Sequence, residues 1–436
     1  MTSPIPNLFK VPELKEKLLF TLLCLVVYRV GAHIATPGVN VDALADYLAN
    51  AGSGTLFGLY DLFAGGSFGR ATVFALGIMP YISASIVFQL AAPVFPVVEK
   101  MQRDEEGRKK LTQWTRYLTV VLCLFQAYGY GLFTEQIPGA VATPGFFFRL
   151  TTVLTLTTGG VFVMWLGEQI TERGIGNGAS LLIFFSIVER IWPETIRTIE
   201  ALQARSLTFP KLLIVLTVMV FVVAGTVAVT VAARRIPIQI PRKVMGRGRI
   251  REGQKTFIPL RLNTANVMPI IFAQSLIIVP GTIAAFSGNQ ALKHLAEYFS
   301  VTSVAYLVTS AVLIIFFAYF YTSIIFNPVD LAENLKKQGG FIPGVKPGAA
   351  TADYIDDVLS RITFPGALFL TAVAMLPIIV SNTFNMPFGF GGTALLIVVG
   401  VALDTVQQVQ QHLLLRHYDG FMKEGRVKFR GRQRYM

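Results

Sequence analysis

The sequence predicts an all-α polytopic membrane protein with ten transmembrane helices in two inverted five-helix halves, and three observations support it. Mean hydropathy is +0.57. Only 14% of the 436 residues are charged, against about a quarter in globular proteins. Apolar runs of roughly 20 residues recur, the length that matches the hydrocarbon thickness. The short alternating strands of a membrane β-barrel are absent. Finally, thirty of the thirty-eight Lys and Arg residues fall in segments that the runs place on one side.

Span one, Leu18–Ile34, follows Lys10, Lys15 and Lys17. By itself it would pass for a signal peptide, but nine further apolar runs make it a retained first span. Span two, Ala71–Phe95, is preceded by a Gly/Ser-rich, partly apolar stretch, residues 53–66, in which Leu56, Leu59 and Leu62 recur at helical spacing. That stretch is too short and too polar to cross. It reads either as a half-helix folded back into the protein, tolerated only around an internal cavity, or as an interfacial helix outside the membrane. Spans three and four are Tyr117–Phe133 and Phe146–Leu166. Span five, Ala179–Ile191, is short and needs a neighbour or interfacial residues to complete its crossing. Spans six to ten are Leu212–Val231, Val267–Phe286, Val304–Phe326, Ile362–Val380 and Gly391–Leu415.

An even number of spans puts both termini on one side, and the basic excess assigns that side to the cytoplasm. The largest basic cluster lies between spans six and seven. It holds Arg234, Arg235, Arg242, Lys243, Arg247, Arg249, Arg251, Lys255 and Arg261, with Glu252 as its one acid. Ten spans divide five and five around residues 206–211, giving halves 1–205 and 212–436 that enter the membrane in opposite senses. Such inverted halves place a pathway at their interface. No residue-level repeat is visible, so the division rests on counting.

Catalytic chemistry is hard to find. His33, His294, His412 and His417 show no metal-ligand spacing, and no H-E-x-x-H or G-x-S-x-G occurs. Cys24 and Cys123 both sit within apolar runs and read as small buried hydrophobes. The glycine-rich run Gly339–Gly344 is followed by Val345 where a phosphate loop needs lysine. Gly174–Gly178 reads as a tight turn before span five. No catalytic residue, metal or cofactor is therefore assigned. Ionisable residues in spans are functional candidates; here they are Arg29, Glu168 and Asp404, whose near-terminal places also suit interfacial snorkelling or pairing. Pro80, Ser83, Ser85, Gln89, Asn266, Pro269 and Gln274 interrupt the spans, as along an interior path or in ordinary helix packing.

Several long motifs resemble the bacterial SecY family, the pore subunits of the protein translocase. They are GIMPYISASI at Gly77–Ile86, MWLGEQITERGIGNG at Met164–Gly178, NPVDLAENLKK at Asn327–Lys337, FIPGVKPG at Phe341–Gly348 and FGGTALLI at Phe390–Ile397. The resemblance implies an hourglass channel in the bacterial cytoplasmic membrane, with N- and C-termini cytoplasmic. It would translocate secretory preproteins and insert membrane proteins. Its aliphatic ring would be Ile78, Ile82, Ile183, Ile271 and Ile397. Ile78 and Ile82 are four residues apart, the spacing of one helix face. The family's plug would be the segment holding Thr55, Leu56, Leu59, Asp61, Leu62 and Gly66. A lateral gate is implied where spans two and three meet seven and eight.

Implied partners are SecE- and SecG-type small membrane subunits, the SecA motor ATPase, the ribosome, signal sequences and nascent polypeptides, and lipids. The basic loop at about 232–262 and that at about 328–361 would dock the motor or ribosome, through Arg234, Arg235, Arg242, Lys243, Arg247, Arg249, Arg251, Lys336, Lys337 and Lys346. Lys346 stands where bacterial members commonly carry Arg; Lys keeps the charge there but loses the bidentate geometry of Arg. The competing readings are a solute or ion transporter with inverted repeats, opposed by sparse midplane charge, and an intramembrane enzyme.

Overall fold

A computed structural model describes residues 12–51, 56–205, 207–239, 244–245, 249–250, 255–263, 266–286, 300, 303–384 and 392–424. In chain order its helices are α1 (Pro12–Gly31), α2 (Val41–Ala51), α3 (Leu56–Phe63), α4 (Met79–Val94), α5 (Pro96–Arg103), α6 (Glu105–Glu135), α7 (Phe146–Arg173), α8 (Gly178–Gln203) and α9 (Phe209–Val231). Strands β1 (Ala233–Gln239), β2 (Val244–Met245), β3 (Arg249–Ile250) and β4 (Lys255–Arg261) follow. The chain closes with α10 (Met268–Phe286), α11 (Val304–Ile325), α12 (Pro328–Lys337), α13 (Ala349–Phe384) and α14 (Gly392–Glu424).

The protein is a polytopic helical membrane protein. Among the described residues, six helices are individually long and apolar enough to cross a bilayer, and α4 with α5 passes as a bent pair. Two predicted boundaries move. Span two was placed from Ala71, but residues 64–78 form turns and the helix starts at Met79. Pro80 sits in the first turn of α4 and Pro269 is the second residue of α10. Each therefore begins a helix rather than breaking one, because the proline N–H is missing where no intrahelical partner exists anyway. Span five is no stub, since α8 runs for 26 residues. Hydropathy alone ends the span at Ile191 because Glu194, Arg197, Glu200 and Gln203 follow in the second half of the helix.

The bend between α4 and α5 has a local cause. Phe95 is extended (φ −110°, ψ 110°) ahead of Pro96, as the proline ring disfavours helix in the residue before it. The chain there turns by 112°. Helix α6, at 31 residues, is about 46 Å long at 1.5 Å per residue. It outruns a hydrocarbon core of roughly 30 Å, carrying Arg108, Lys109 and Lys110 beyond it.

One large core draws on nearly every helix and is centred on α3, α4, α8, α10 and α14. Backbones approach closely through glycine. An added Cβ at Gly159 of α7 or Gly178 of α8 would run into the backbone of Val73 or Gly167, the small-residue packing of helices in lipid. Outward faces carry exposed Leu, Val and Phe, for example Leu213, Leu216, Val220 and Phe221 on α9.

A second, smaller core lies in the basic segments. β1 and β4 pair antiparallel, with Ile236 opposite Ile258, and Ile236, Ile238 and Leu260 pack with Leu335, Ile342, Ile355, Val358, Leu359 and Ile362. The Gln239 and Phe341 backbones exchange hydrogen bonds of 2.9 and 3.0 Å. What the sequence presents as two separate loops is thus one folded platform.

Candidate functional site

Four elements bring the five candidate isoleucines into one core. Ile78 and Ile82 come from the start of α4, Ile183 from α8, Ile271 from α10 and Ile397 from α14. None exceeds 4% exposure. Ile78 is the N-cap residue of α4 rather than part of its helix. The Ile82 amide donates to its carbonyl at 3.2 Å, which keeps the two side chains one turn apart as their spacing predicts. Ile82, Ile183 and Ile271 also line a cavity of about 150 Å³, together with Ser85, Gln89, Thr171, Asn177 and Ser180. At ~30 Å³ per water such a space holds about five waters. A passing polypeptide has no room in this conformation.

Helix α3 folds back into the same core. Leu59 is 6% and Leu62 2% exposed, and α3 packs on α8 and α10. Its polar groups are answered inside the protein. Tyr60 donates to the Leu76 carbonyl at 2.9 Å and to Gln126 at 3.3 Å, while Tyr130 donates to the Phe68 carbonyl at 3.0 Å. The rings of Phe57, Tyr60, Phe68, Tyr130 and Phe133 pack around one another. Gly65, Gly66 and Gly77 all take positive φ (65°, 75° and 55°), a conformation that costs a residue with a Cβ roughly 1–2 kcal/mol. Thr55 lies outside the described residues, and Leu56 is described in its backbone only.

The seam between α4 and α11 is closed by a polar bridge. Tyr321 of α11 donates its hydroxyl to Gln89 Oε1 of α4, and Gln89 Nε2 donates to Ser85 Oγ at 2.8 Å. Tyr321 also packs edge-on against Phe272 of α10, with centroids 5.0 Å apart. Nearby, Tyr306 donates to the buried Gln274 at 2.8 Å. The polar residues scattered through the spans thus gather at helix–helix contacts.

The ionisable span residues are paired. Glu168 accepts from Arg116 at 2.9 Å, Arg29 pairs with Glu189, and Asp404 accepts from Asn266 at 3.2 Å and Gln408 at 3.0 Å. Three residues not singled out from the sequence, Arg70, Glu189 and Arg190, join the expected plug residue Asp61 at the foot of α3. Asp61 pairs with Arg190 at 2.8 Å, and Arg70 with Glu189 at 3.2 Å. Their only signal in the sequence is charge near an outer span end, which reads there as snorkelling.

On the basic platform, Arg234 and Arg235 lie on β1 opposite Leu260 and Pro259. Arg235 stacks on Phe257, 4.7 Å from the ring centroid. Lys336 and Lys337 end α12, and Lys337 reaches Glu333 at 3.6 Å. Lys346 is exposed on the adjoining turn, where its carbonyl accepts from Thr351 at 2.8 Å. Arg249 is placed in β3 by its backbone, while Arg242, Lys243, Arg247 and Arg251 lie outside the described residues.

The chain is similar in sequence and fold to known proteins over nearly its whole length. The family model described as SecY matches residues 72–406. The protein translocase subunit SecY of Aquifex aeolicus is 44% identical over 431 residues, 97% of this chain and 100% of the relative. That of Escherichia coli K12 is 42% identical over 428 residues, 96% of each. Among solved structures, "The structure of a protein conducting channel" superposes with a TM-score of 0.67 at 19% identity, over 98% of this chain and 100% of that one. A SecY structure described as showing that the plug domain stabilises the closed state reaches a TM-score of 0.65 at 18% identity, with the same coverage.

Proposed function

This chain belongs to the SecY family, and on that premise we propose how its geometry serves a protein-conducting channel. Translocation of proteins is its function, and it is a membrane channel subunit rather than an enzyme. The observation that carries the proposal is the convergence of Ile78, Ile82, Ile183, Ile271 and Ile397 from four helices, all buried, into one apolar core. An aliphatic constriction of this kind excludes water and ions by dewetting, yet binds no passing segment tightly. Helix α3 and the turns after it form the plug against the ring. The two five-helix halves, 1–205 and 212–436, are inverted and enclose the pathway, and the seam of α4 and α6 with α10 and α11 opens sideways to lipid.

In the proposed cycle an apolar signal sequence enters the seam and displaces the Gln89–Tyr321 bridge. The plug then leaves the ring and the chain threads through. The protein sits in the bacterial cytoplasmic membrane with both termini in the cytoplasm, as its thirty basic residues on one side favour. The folded platform bearing Arg234, Arg235, Lys336, Lys337 and Lys346 receives either a SecA-type motor or the ribosome, whose RNA phosphates suit Lys and Arg. Small SecE- and SecG-type membrane subunits cover part of the apolar outer faces.

The test is crosslinking of a stalled secretory chain to cysteines at Ile82 and Ile271, with cysteine at the outward Phe221 as control. Labelling at both ring positions and none at Phe221 is expected. A chain that labels only the control sinks the pore assignment.

A further inference from the structure

The ion pairs at the foot of α3 form a connected set. Asp61 uses both carboxylate oxygens: Oδ1 accepts from the Gly69 amide at 2.9 Å and Oδ2 from Arg190 at 2.8 Å. Arg70 donates to the Gly66 carbonyl at 3.0 Å, the Gly65 carbonyl at 3.0 Å and Glu189 at 3.2 Å. Each residue therefore has one hand inside the 61–70 turn and one outside it. The outside partners, Glu189 and Arg190, are neighbours on α8, opposite in sign as are Asp61 and Arg70.

The partners are themselves fixed. Arg29 of α1 pairs with Glu189, and Glu194, one turn on, lies 3.6 Å from Arg190 and takes a bond from Arg197 at 3.3 Å. The side chains of Asp61 and Arg190 are 17% and 19% exposed, so water screens that pair weakly. Arg70, 36% exposed against 14% for Glu189, makes the second pair the more screened of the two.

Resting on the channel reading above, we propose that Asp61–Arg190 and Arg70–Glu189 form a two-point ionic clasp that holds the plug shut as a preassembled unit. The internal braces, Asp61 to Gly69 and Arg70 to Gly65 and Gly66, survive when the outer pairs part. The turn then moves without unravelling, and it reseats in one register because the two pairs have opposite polarity. A plug shifted by one residue along α8 would set like charges together. Positive φ at Gly77 and Ala71 marks the stretch that takes up the rotation.

The experiment uses the full-length chain with its small membrane subunits in proteoliposomes, reading halide leak without preprotein. Arg190→Gln and Asp61→Asn should each raise resting leak about tenfold, the ratio that loss of one charge-assisted bond brings. The exchange Asp61→Arg with Arg190→Asp should return most of the seal. Leak at the parental level in both single variants overturns the clasp. So does leak in the single variants that the exchange fails to lower, since that is damage rather than charge pairing. A variant with residues 57–70 replaced by a glycine–serine linker separates the two ideas. If it too is silent, the plug reading on which the clasp rests falls.

Discussion

Breaking the bridge across the α4–α11 seam gives the sharpest energetic test. Tyr321→Phe removes the hydroxyl that reaches Gln89 but keeps the ring against Phe272 at 5.0 Å. Gln89 retains its 2.8 Å bond to Ser85, so only one acceptor is orphaned. Gln89→Leu removes both bonds and strands the Tyr321 hydroxyl, so it is the larger change. Hydrogen bonds between membrane helices couple by about 0.6 kcal/mol on average and up to about 1.7. That range favours the open seam by about threefold to about fifteenfold. The assay is translocation, into inverted membrane vesicles, of a preprotein with a weakened signal sequence, measured for both single variants and the double variant. Each single variant should pass more of it, and the double variant should fall short of their product by the coupling factor. Strict additivity, within about 0.3–0.5 kcal/mol, would show that the bridge does not hold the seam.

Three further outcomes follow from the same geometry. Gly65→Val places a Cβ 3.1–3.2 Å from Ser186 at φ +65°, so the plug should seat poorly and resting leak should rise, about fivefold to about thirtyfold if roughly 1–2 kcal/mol of strain is released on opening. Ile183→Asn, at a fully buried ring position, should wet the constriction and pass halide, whereas Ile183→Val should keep the seal and lower stability by about 0.5–1.5 kcal/mol; equal leak in the two variants would count against a dewetted gate. On the platform, Arg235→Glu loses the stacking on Phe257, worth ~0.5–1 kcal/mol, so it should loosen the hairpin to proteolysis while Arg234→Glu leaves it tight. Both should weaken partner docking in a salt-dependent way. Docking that is indifferent to both changes and to salt would remove the platform from the contact.

How much was legible in the sequence varies by element and for physical reasons. α9, with no charged residue after Lys211, matches its predicted span to within three residues at its start and none at its end. The start of span two was missed because residues 71–78 are as apolar as a helix but are bent by Gly77 at positive φ and held by Tyr60 on the Leu76 carbonyl. Span five was clipped because hydropathy counts the charges after Ile191 as a boundary, whereas Glu194 there is answered by Arg190 and Arg197. The β1–β4 pairing was hidden because only the short stretch after Arg234 and Arg235 alternates, with Ile236 and Ile238 buried and Pro237 and Gln239 exposed.

By itself the sequence determined what depends on adding up local terms. Transfer free energy over some twenty residues marks a membrane span, and the count of Lys and Arg beside each span gives the orientation proposed for it. Neither quantity needs a partner, so class and span order could be read directly from the residues. Tertiary structure alone decided which distant side chains meet. Gln89 and Tyr321 are 232 residues apart and Asp61 and Arg190 are 129 apart. Ile78 and Ile397 join one core only because α10 packs on α4 and α14 packs on α8 and α10. Helix rotation sets such meetings, and rotation follows from packing of whole surfaces, which no window along the chain contains.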